Sequence, residues 1–246
     1  RNQGVELVLN GSIFRSKLVD WDISANIAHN KSEILKLPES KTMGKGGFTE
    51  STSGQTYQQW FEVGGELYTP FIAEYAGVNE RGEALYWVDE DLPSNANATP
   101  GRKHSYTTTN FQEATRYKQE STMPDFYGGF STTIRIGDFD ASASFDYQIG
   151  GKVYDMRYKQ LMTPMSTSGN GGQNFHKDIF KSWSPDNTSS NIPRWQAGDQ
   201  YTSAMSTRWF ANASYLNFQS FTVGYTLPKN LIDNIASIRV YVAGEN

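Results

Sequence analysis

The sequence predicts an all-β, antiparallel fold laid out as a segment of a transmembrane β-barrel, and three observations carry that reading. Long stretches alternate apolar and polar residues with period two, which marks strands with two unlike faces. These stretches come in pairs joined by short polar turns, whereas the connections between pairs are long and rich in Gly, Ser, Thr, Asn and Lys. Aromatic content is also high: 14 Tyr, 14 Phe and 6 Trp make up 14% of the 246 residues. Such a content fits both carbohydrate binders, which stack sugars on rings, and outer-membrane barrels, which carry aromatic girdles.

The first pair is GVELVLNGSIF (4–14) and WDISANIAHN (21–30). Val5, Leu7, Leu9 and Ile13 oppose Glu6, Val8, Asn10 and Ser12. In the second stretch Trp21, Ile23, Ala25 and Ile27 oppose Asp22, Ser24, Asn26, Ala28 and Asn30. A polar turn at 15–17 makes them an antiparallel hairpin. The second pair is FYGGFSTTIRI (126–136) and FDASASFDYQIGG (139–151), joined through Gly137 and Asp138. The third is YLNFQSFTVGYTL (215–227) and ASIRVYVAGE (236–245). Within 215–227 the phase changes between Phe218 and Phe221, so a bulge near Gln219 and Ser220 is predicted. Residues 57–88 predict one or two further strands, and 229–235 the only helical patch. The intervals 31–56, 89–124 and 155–213 read as loops, too long for an ordinary compact domain.

Alternation gives two faces without naming their solvents. In 139–151, Phe139, Ala141, Ala143, Phe145, Tyr147 and Ile149 oppose Asp140, Ser142, Ser144, Asp146 and Gln148. A soluble sandwich would bury the aromatic side against a second sheet. A barrel would turn it to lipid and keep the other side in a wet lumen. Short turns alternating with very long loops favour the barrel, because turns in sandwiches recur every 8–12 residues.

Composition narrows the classes further. A net charge of −4 argues against a nucleic-acid partner. The lack of cysteine excludes disulfide frameworks and thiolate metal sites. No apolar run approaches the length of a membrane-crossing helix. A mean hydropathy of −0.60 leaves a barrel open, since only alternate residues of its strands meet lipid. The chain starts without an initiator Met, signal peptide or lipidation motif and ends in a strand pattern, so it reads as an internal piece of something longer.

Five collinear blocks resemble the C-terminal third of SusC/RagA-type TonB-dependent outer-membrane transporters. They are RNQGVELVLNGSIF, WDISANIAHNKSEILKL, FIAEYAGVNERGEALYW, MPDFYGGFSTTIRIGDFDASASFDYQIGGKVYD and ASYLNFQSFTVGYTLPKNLIDNIASIRVYVAGEN, which together span nearly the whole chain. The resemblance implies residues 1–246 of a partial barrel region within about 22 strands and a plugged lumen. It also implies extracellular long loops, periplasmic short turns and a Gram-negative, Bacteroidetes-type outer membrane. The implied work is active import of oligosaccharides or peptides, driven by the TonB complex and capped by a SusD-like surface lipoprotein. The TonB box, the plug and the closing strands are not seen in this sequence. No cofactor is implied, and the acidic calcium loop of some members is not found; VDEDLPSNANATPG (88–101) lacks its glycine turn and spacing.

Searches for other chemistry return little. Asp89, Glu90 and Asp91 read as a solvated loop, not a cation site or catalytic pair. His29, His104 and His176 are too scattered for zinc. MGKGGF (43–48) lacks the ending and helix of a phosphate loop, and no nucleophile elbow occurs. No catalytic residue or metal ligand is nominated. A secreted glycoside hydrolase would need two carboxylates across a cleft, and no pair stands out. Trp183, Trp195 and Trp209 lie in polar loops and are the candidates for stacking on substrate. Phe14, Trp21, Phe139, Phe145, Tyr147 and Tyr225 are assigned to lipid or girdle, and Arg135, Asp140, Asp146 and Arg239 to the lumen wall.

Overall fold

The computed structural model describes residues 1–42, 47–50, 57–91, 103–164, 174–199, 201–228 and 237–246. The helical patch predicted at 229–235 lies outside them. In chain order the strands are β1 (Asn2–Arg15), β2 (Val19–Ser32), β3 (Gly47–Glu50), β4 (Gln58–Glu62), β5 (Pro70–Ala73), β6 (Tyr75–Val78), β7 (Ala84–Val88), β8 (Tyr106–Thr108), β9 (Arg116–Lys118), β10 (Phe126–Ile136), β11 (Phe139–Ile149), β12 (Lys152–Tyr154), β13 (Phe210–Asn212), β14 (Tyr215–Thr226) and β15 (Arg239–Glu245). Two helices, α1 (Glu39–Thr42) and α2 (Met156–Met162), and two 3₁₀ turns complete the set. No helix among the described residues is long and apolar enough to cross a membrane. The chain divides into two compact units.

One unit contains Asn2–Ser32, Met123–Gly151 and Asn212–Asn246. It holds a six-stranded antiparallel sheet in the order β1-β2-β10-β11-β14-β15. The three predicted hairpins are its building blocks. Ser16 closes the first turn, its hydroxyl accepting the N–H groups of Leu18 and Val19. Gly137 closes the second at φ +60°, while Asp138 stays out of the left-handed region, the pattern of a type II′ hairpin.

The register sorts side chains cleanly. Val5, Leu7 and Leu9 line up with Ile27, Ala25, Phe130, Phe145 and Phe218 on one face. Asn10, Ser24, Ser131, Ser144 and Ser220 run across the other. Two bulges keep the faces in phase. Gln219 is the extra residue of β14, so Ser144 faces Ser220 while Phe145 faces Phe218, as the phase change predicts. Ile13 is the extra residue of β1, which the sequence reading missed. Phe14, not Ile13, lies opposite Trp21 and continues the apolar face.

The apolar face is open. Phe139 is 58% exposed and Val242 65%, and Leu7, Leu9, Trp21, Phe130, Ile149 and Val223 are exposed with them. No second sheet of the described residues covers it, so the requirement of the sandwich reading is not met. Phe130 stacks on Phe145 at 4.7 Å and Phe145 contacts Phe218 at 5.1 Å, forming a ring ladder across three strands. Eleven residues at about 3.3 Å each span roughly 36 Å. A barrel tilt near 40° reduces this to roughly 28 Å, close to the apolar band of an outer-membrane barrel. Two glycines on this face lie under aromatic rings. Tyr147 crosses Gly128 and donates its hydroxyl to the Asn26 carbonyl at 3.1 Å, and Phe221 covers Gly244.

The other unit is Arg1 with Glu33–Thr122 and Lys152–Ala211. Composition reads most of it as loop, yet it is packed. Residues 57–88 hold four strands instead of the one or two predicted. They contribute to a sheet β3-β4-β5-β9 and a sheet β6-β7-β8. Three apolar clusters hold these pieces together: Trp60, Phe71 and Tyr117; Ile72, Tyr154, Met162 and Trp209; and Ala73, Ala84, Tyr86 and Ala114. Helix α2 starts where Asp155 accepts the N–H of Tyr158 at 2.7 Å and delivers Met162 into the second cluster. Near-complete burial of such rings contributes about 2–3 kcal/mol each.

Candidate functional site

The polar face of the six-stranded sheet is a wall of hydroxyls, amides and ion pairs. A concavity of about 440 Å³ opens on it, lined by Asn10, Ser12, Asp22, Ser24, Ser131 and Thr133. Ser24 donates to Asn10 at 2.6 Å, and Arg15 reaches Asp22 at 3.3 Å. Towards the tight turns, Arg15, Asp20, Arg135 and Asp140 stand side by side on neighbouring strands, a row of alternating charge. Arg135 pairs with Asp20, and Arg239 with Asp140. Asp146 accepts from Asn217 at 3.1 Å and from Gln219. Arg135, Asp140, Asp146 and Arg239 therefore share one face, with each charge answered inside the sheet.

The six aromatics assigned to lipid occupy the opposite face: Phe14, Trp21, Phe139, Phe145, Tyr147 and Tyr225. Of these, Trp21 donates its indole N–H to Thr132 at 2.8 Å, across to the next strand.

The loop aromatics do not form one site. Trp209 is 1% exposed, packed in the Ile72 cluster with its indole N–H on the Ala204 carbonyl at 2.9 Å. Its ring faces meet protein, which leaves no surface for a sugar to stack on. Trp183 is half-buried and lies on Gly82, at φ +79°, where a Cβ would come within 2.4 Å of the ring. Trp195 is 40% exposed, with one edge contact to Phe175 at 4.9 Å. It alone of the three presents a platform.

Beside Trp195 in the chain, Arg194 staples two loops. It donates to Asp199 at 3.2 Å, to Glu83 at 3.3 Å and to the Arg81 carbonyl at 3.0 Å. A concavity of about 290 Å³ lies there, lined by Glu83, Asn110, Arg194, Gln196, Asp199 and Tyr201. Sequence reading passed over Arg194. The one available signal was the repeated Arg-Trp pair, at 194–195 and 208–209.

The acidic run at 89–91 is not solvated throughout. Asp89 is 2% exposed and accepts the N–H groups of Asp91 and Lys103, both at 3.1 Å, which pins the loop. Asp91 pairs outward with Lys103. His29 meets the Asp125 carbonyl, His104 meets Glu74 at 2.7 Å, and the His176 ring accepts the N–H of Asp178 at 3.2 Å. Among the described residues no group of three or more His, Asp or Glu is placed to hold a metal.

No family model matches the chain. It is 24% identical along its whole length to TonB-dependent receptor P3 of Formosa agariphila, covering 24% of that protein. It is also 24% identical over 92% of its length to TonB-dependent receptor SusC of Bacteroides thetaiotaomicron, covering 20% of it. Among solved structures, the RagAB peptide transporter superposes with a TM-score of 0.71 at 25% identity, over all of this chain and 25% of that one. The open-open state of the RagAB peptide importer gives 0.70 at 26%. The chain thus spans about a quarter of the length of these relatives.

A sheet with one apolar face open and one polar face, similar along its length to TonB-dependent receptors, is an antiparallel β-barrel segment of the outer membrane. The five sequence blocks and these relatives make the chain similar to the SusC/RagA type, and the sheet it holds is not closed into a barrel.

Proposed function

We propose that the whole protein is an active importer of oligosaccharides or peptides and performs no covalent chemistry. The observation that carries the reading is the division of the six-stranded sheet into an exposed apolar face and an opposite polar face that carries the Arg135–Asp20 and Arg239–Asp140 ion pairs. In this reading the apolar face meets lipid, while Arg135, Asp140, Asp146 and Arg239 stand in the lumen wall. Cargo is captured on the loop unit and passes the hydroxyl-rich wall. Trp195 and the Arg194 concavity are the cargo-contacting surface, since a flat ring beside amides and carboxylates suits both a sugar ring and a peptide group. A SusD-like lipoprotein closes the extracellular side and the TonB complex supplies energy through parts of the protein beyond this chain.

The test uses the full-length protein in its own membrane. It should fractionate with the outer membrane, require detergent, and run on a gel with heat-modifiable mobility. Deleting its gene should abolish growth on the imported nutrient, and removing energy coupling through TonB should have the same effect. A protein that stays soluble without detergent, or growth indifferent to TonB, would sink the proposal.

A further inference from the structure

Arg208 is a cation without an anion. Its guanidinium lies 4.3 Å from the Trp209 ring centre and 5.6 Å from that of Tyr75. It donates one hydrogen bond, at 2.9 Å, to the Thr202 carbonyl. No carboxylate among the described residues forms an ion pair with it, and the carboxylates of the loop unit around it are committed elsewhere. Glu83 and Asp199 hold Arg194. Asp178 holds Lys181 and accepts from Tyr158. Asp155 caps α2, and Glu74 serves His104 and Gln119. Outside the described residues the sequence contains a single acidic residue, Asp233.

The nearby phenols do not supply the missing charge. Burial pushes Tyr75 up to about 12 and raises Tyr86 as well, so both remain neutral at physiological pH. Burial also pulls the Arg208 guanidinium below its ordinary value, partly opposed by Tyr75, Tyr86 and Tyr158. Arg208 is half-buried, and an arginine partly withdrawn from water is favoured by a paired anion, because an uncompensated charge there is costly. Two buried hydroxyls of the same segment are also without a partner: Thr202, 2% exposed, and Ser206, 0%. Buried polar groups are rarely left so.

We propose that Arg208, with the Thr202 and Ser206 hydroxyls, forms an anion subsite that takes a carboxylate. The planar guanidinium fork matches a carboxylate in two parallel hydrogen bonds, and the hydroxyls donate to the remaining lone pairs. The Tyr75 and Trp209 rings fix the fork in place. The carboxylate comes either from cargo, as a peptide C-terminus or an acidic sugar, or from a small anion in solution. The cargo source rests on the importer reading; the binding itself does not.

The experiment follows thermal unfolding of the detergent-solubilised full-length protein against sodium acetate, with sodium fluoride holding ionic strength constant. Wild type should gain Tm saturably with acetate. Arg208→Gln should lose the acetate response, and Arg208→Lys should keep a weakened one. Thr202→Val, which preserves packing, should weaken apparent acetate affinity about threefold to tenfold, the worth of one hydrogen bond, and it decides the matter if Arg208→Gln does not fold. A wild type indifferent to acetate, or a Thr202→Val protein with unchanged acetate affinity, overturns the proposal. Binding of a cargo peptide with a free or amidated C-terminus separates the sources. Tighter binding of the free form in wild type but not in Arg208→Lys assigns the site to cargo. Equal binding beside a retained acetate response assigns it to a solution anion.

Discussion

Arg239 reaches Asp140 across the backbone of an intervening strand. The two residues lie on β15 and β11, with β14 between them, and Arg239 donates through Nε at 2.9 Å and through a second nitrogen in the same fork. The crossing point is Gly224, directly opposite Asp140, where a Cβ would lie 2.4–2.7 Å from the guanidinium. The glycine therefore serves as a passage for a side chain. Gly224→Val should leave the sheet folded, because the displaced atoms are the tip of a flexible arm, but it should uncouple the pair. A double-mutant cycle with Asp140→Asn should then show the coupling present in wild type vanish.

The open apolar face gives a sharper contrast. Phe145 is central in the ring ladder of β10, β11 and β14. An arginine at the midplane of a barrel's lipid face costs about 2–4 kcal/mol. Phe145→Arg should lower the stability of the barrel refolded into vesicles by about that amount. Ser142→Arg, three residues earlier on the polar face, should change it by less than about 1 kcal/mol. Equal costs would refute the assignment of faces.

Two tryptophans from similar-looking loops should part company. Trp209→Ala opens a cavity in the Ile72 cluster and should destabilise the loop unit by about 3–5 kcal/mol. Trp195→Ala touches only the edge of Phe175 and should change stability by less than about 1 kcal/mol. Under the proposed function, its effect should appear instead as weakened cargo binding, measured by calorimetry on the purified full-length protein.

The loop unit should also lose stability in acid through Glu62. Burial works to raise this carboxyl, but hydrogen bonds from Lys118 and Trp60 outweigh it, and the net direction is down. A folded carboxyl below its unfolded value stabilises above the ordinary carboxylate range, near pH 4.3. That contribution disappears as pH falls through the folded value. The side chain is well solvated, so the effect is about 0.5 kcal/mol. Glu62→Gln should flatten Tm against pH between 3 and 5 and leave the slope above pH 6 unchanged.

Deleting Gln219 should damage the barrel far more than replacing it by Ser. Deletion moves Phe218 and Leu216 out of phase with Phe145 and Tyr147, putting apolar side chains on the polar face. The share of heat-modifiable, folded protein should collapse in the deletion and survive in Gln219→Ser.

How much of this was readable before the structure depended on the origin of each signal. The six long strands were legible because each shows its two faces in its own residues. The Gln219 bulge was legible because Phe218 and Phe221 break phase within one stretch. The Ile13 bulge was not, because Ile13 is apolar and preserves the appearance of alternation while Phe14 takes its place opposite Trp21. The loop unit was hidden for a different reason. Its core draws Ile72, Tyr154, Met162 and Trp209 from distant segments, and its strands of three to five residues are too short to show a period. Trp195 and Trp209 have similar polar neighbours in sequence, so only tertiary packing separates an accessible ring from a buried one.

The contrast between tight turns and long excursions also dictates an order of assembly. Pairing β1 with β2, or β10 with β11, closes loops of a few residues and can occur locally. Joining β2 to β10 waits on residues 33–125, and joining β11 to β14 waits on residues 150–214. The entropy of closing a loop rises with its length, so these two seams form late, after the hairpins they unite. The bulge at Gln219 sits on one of them. It acts as a latch that admits β14 in a single alignment when that late seam closes.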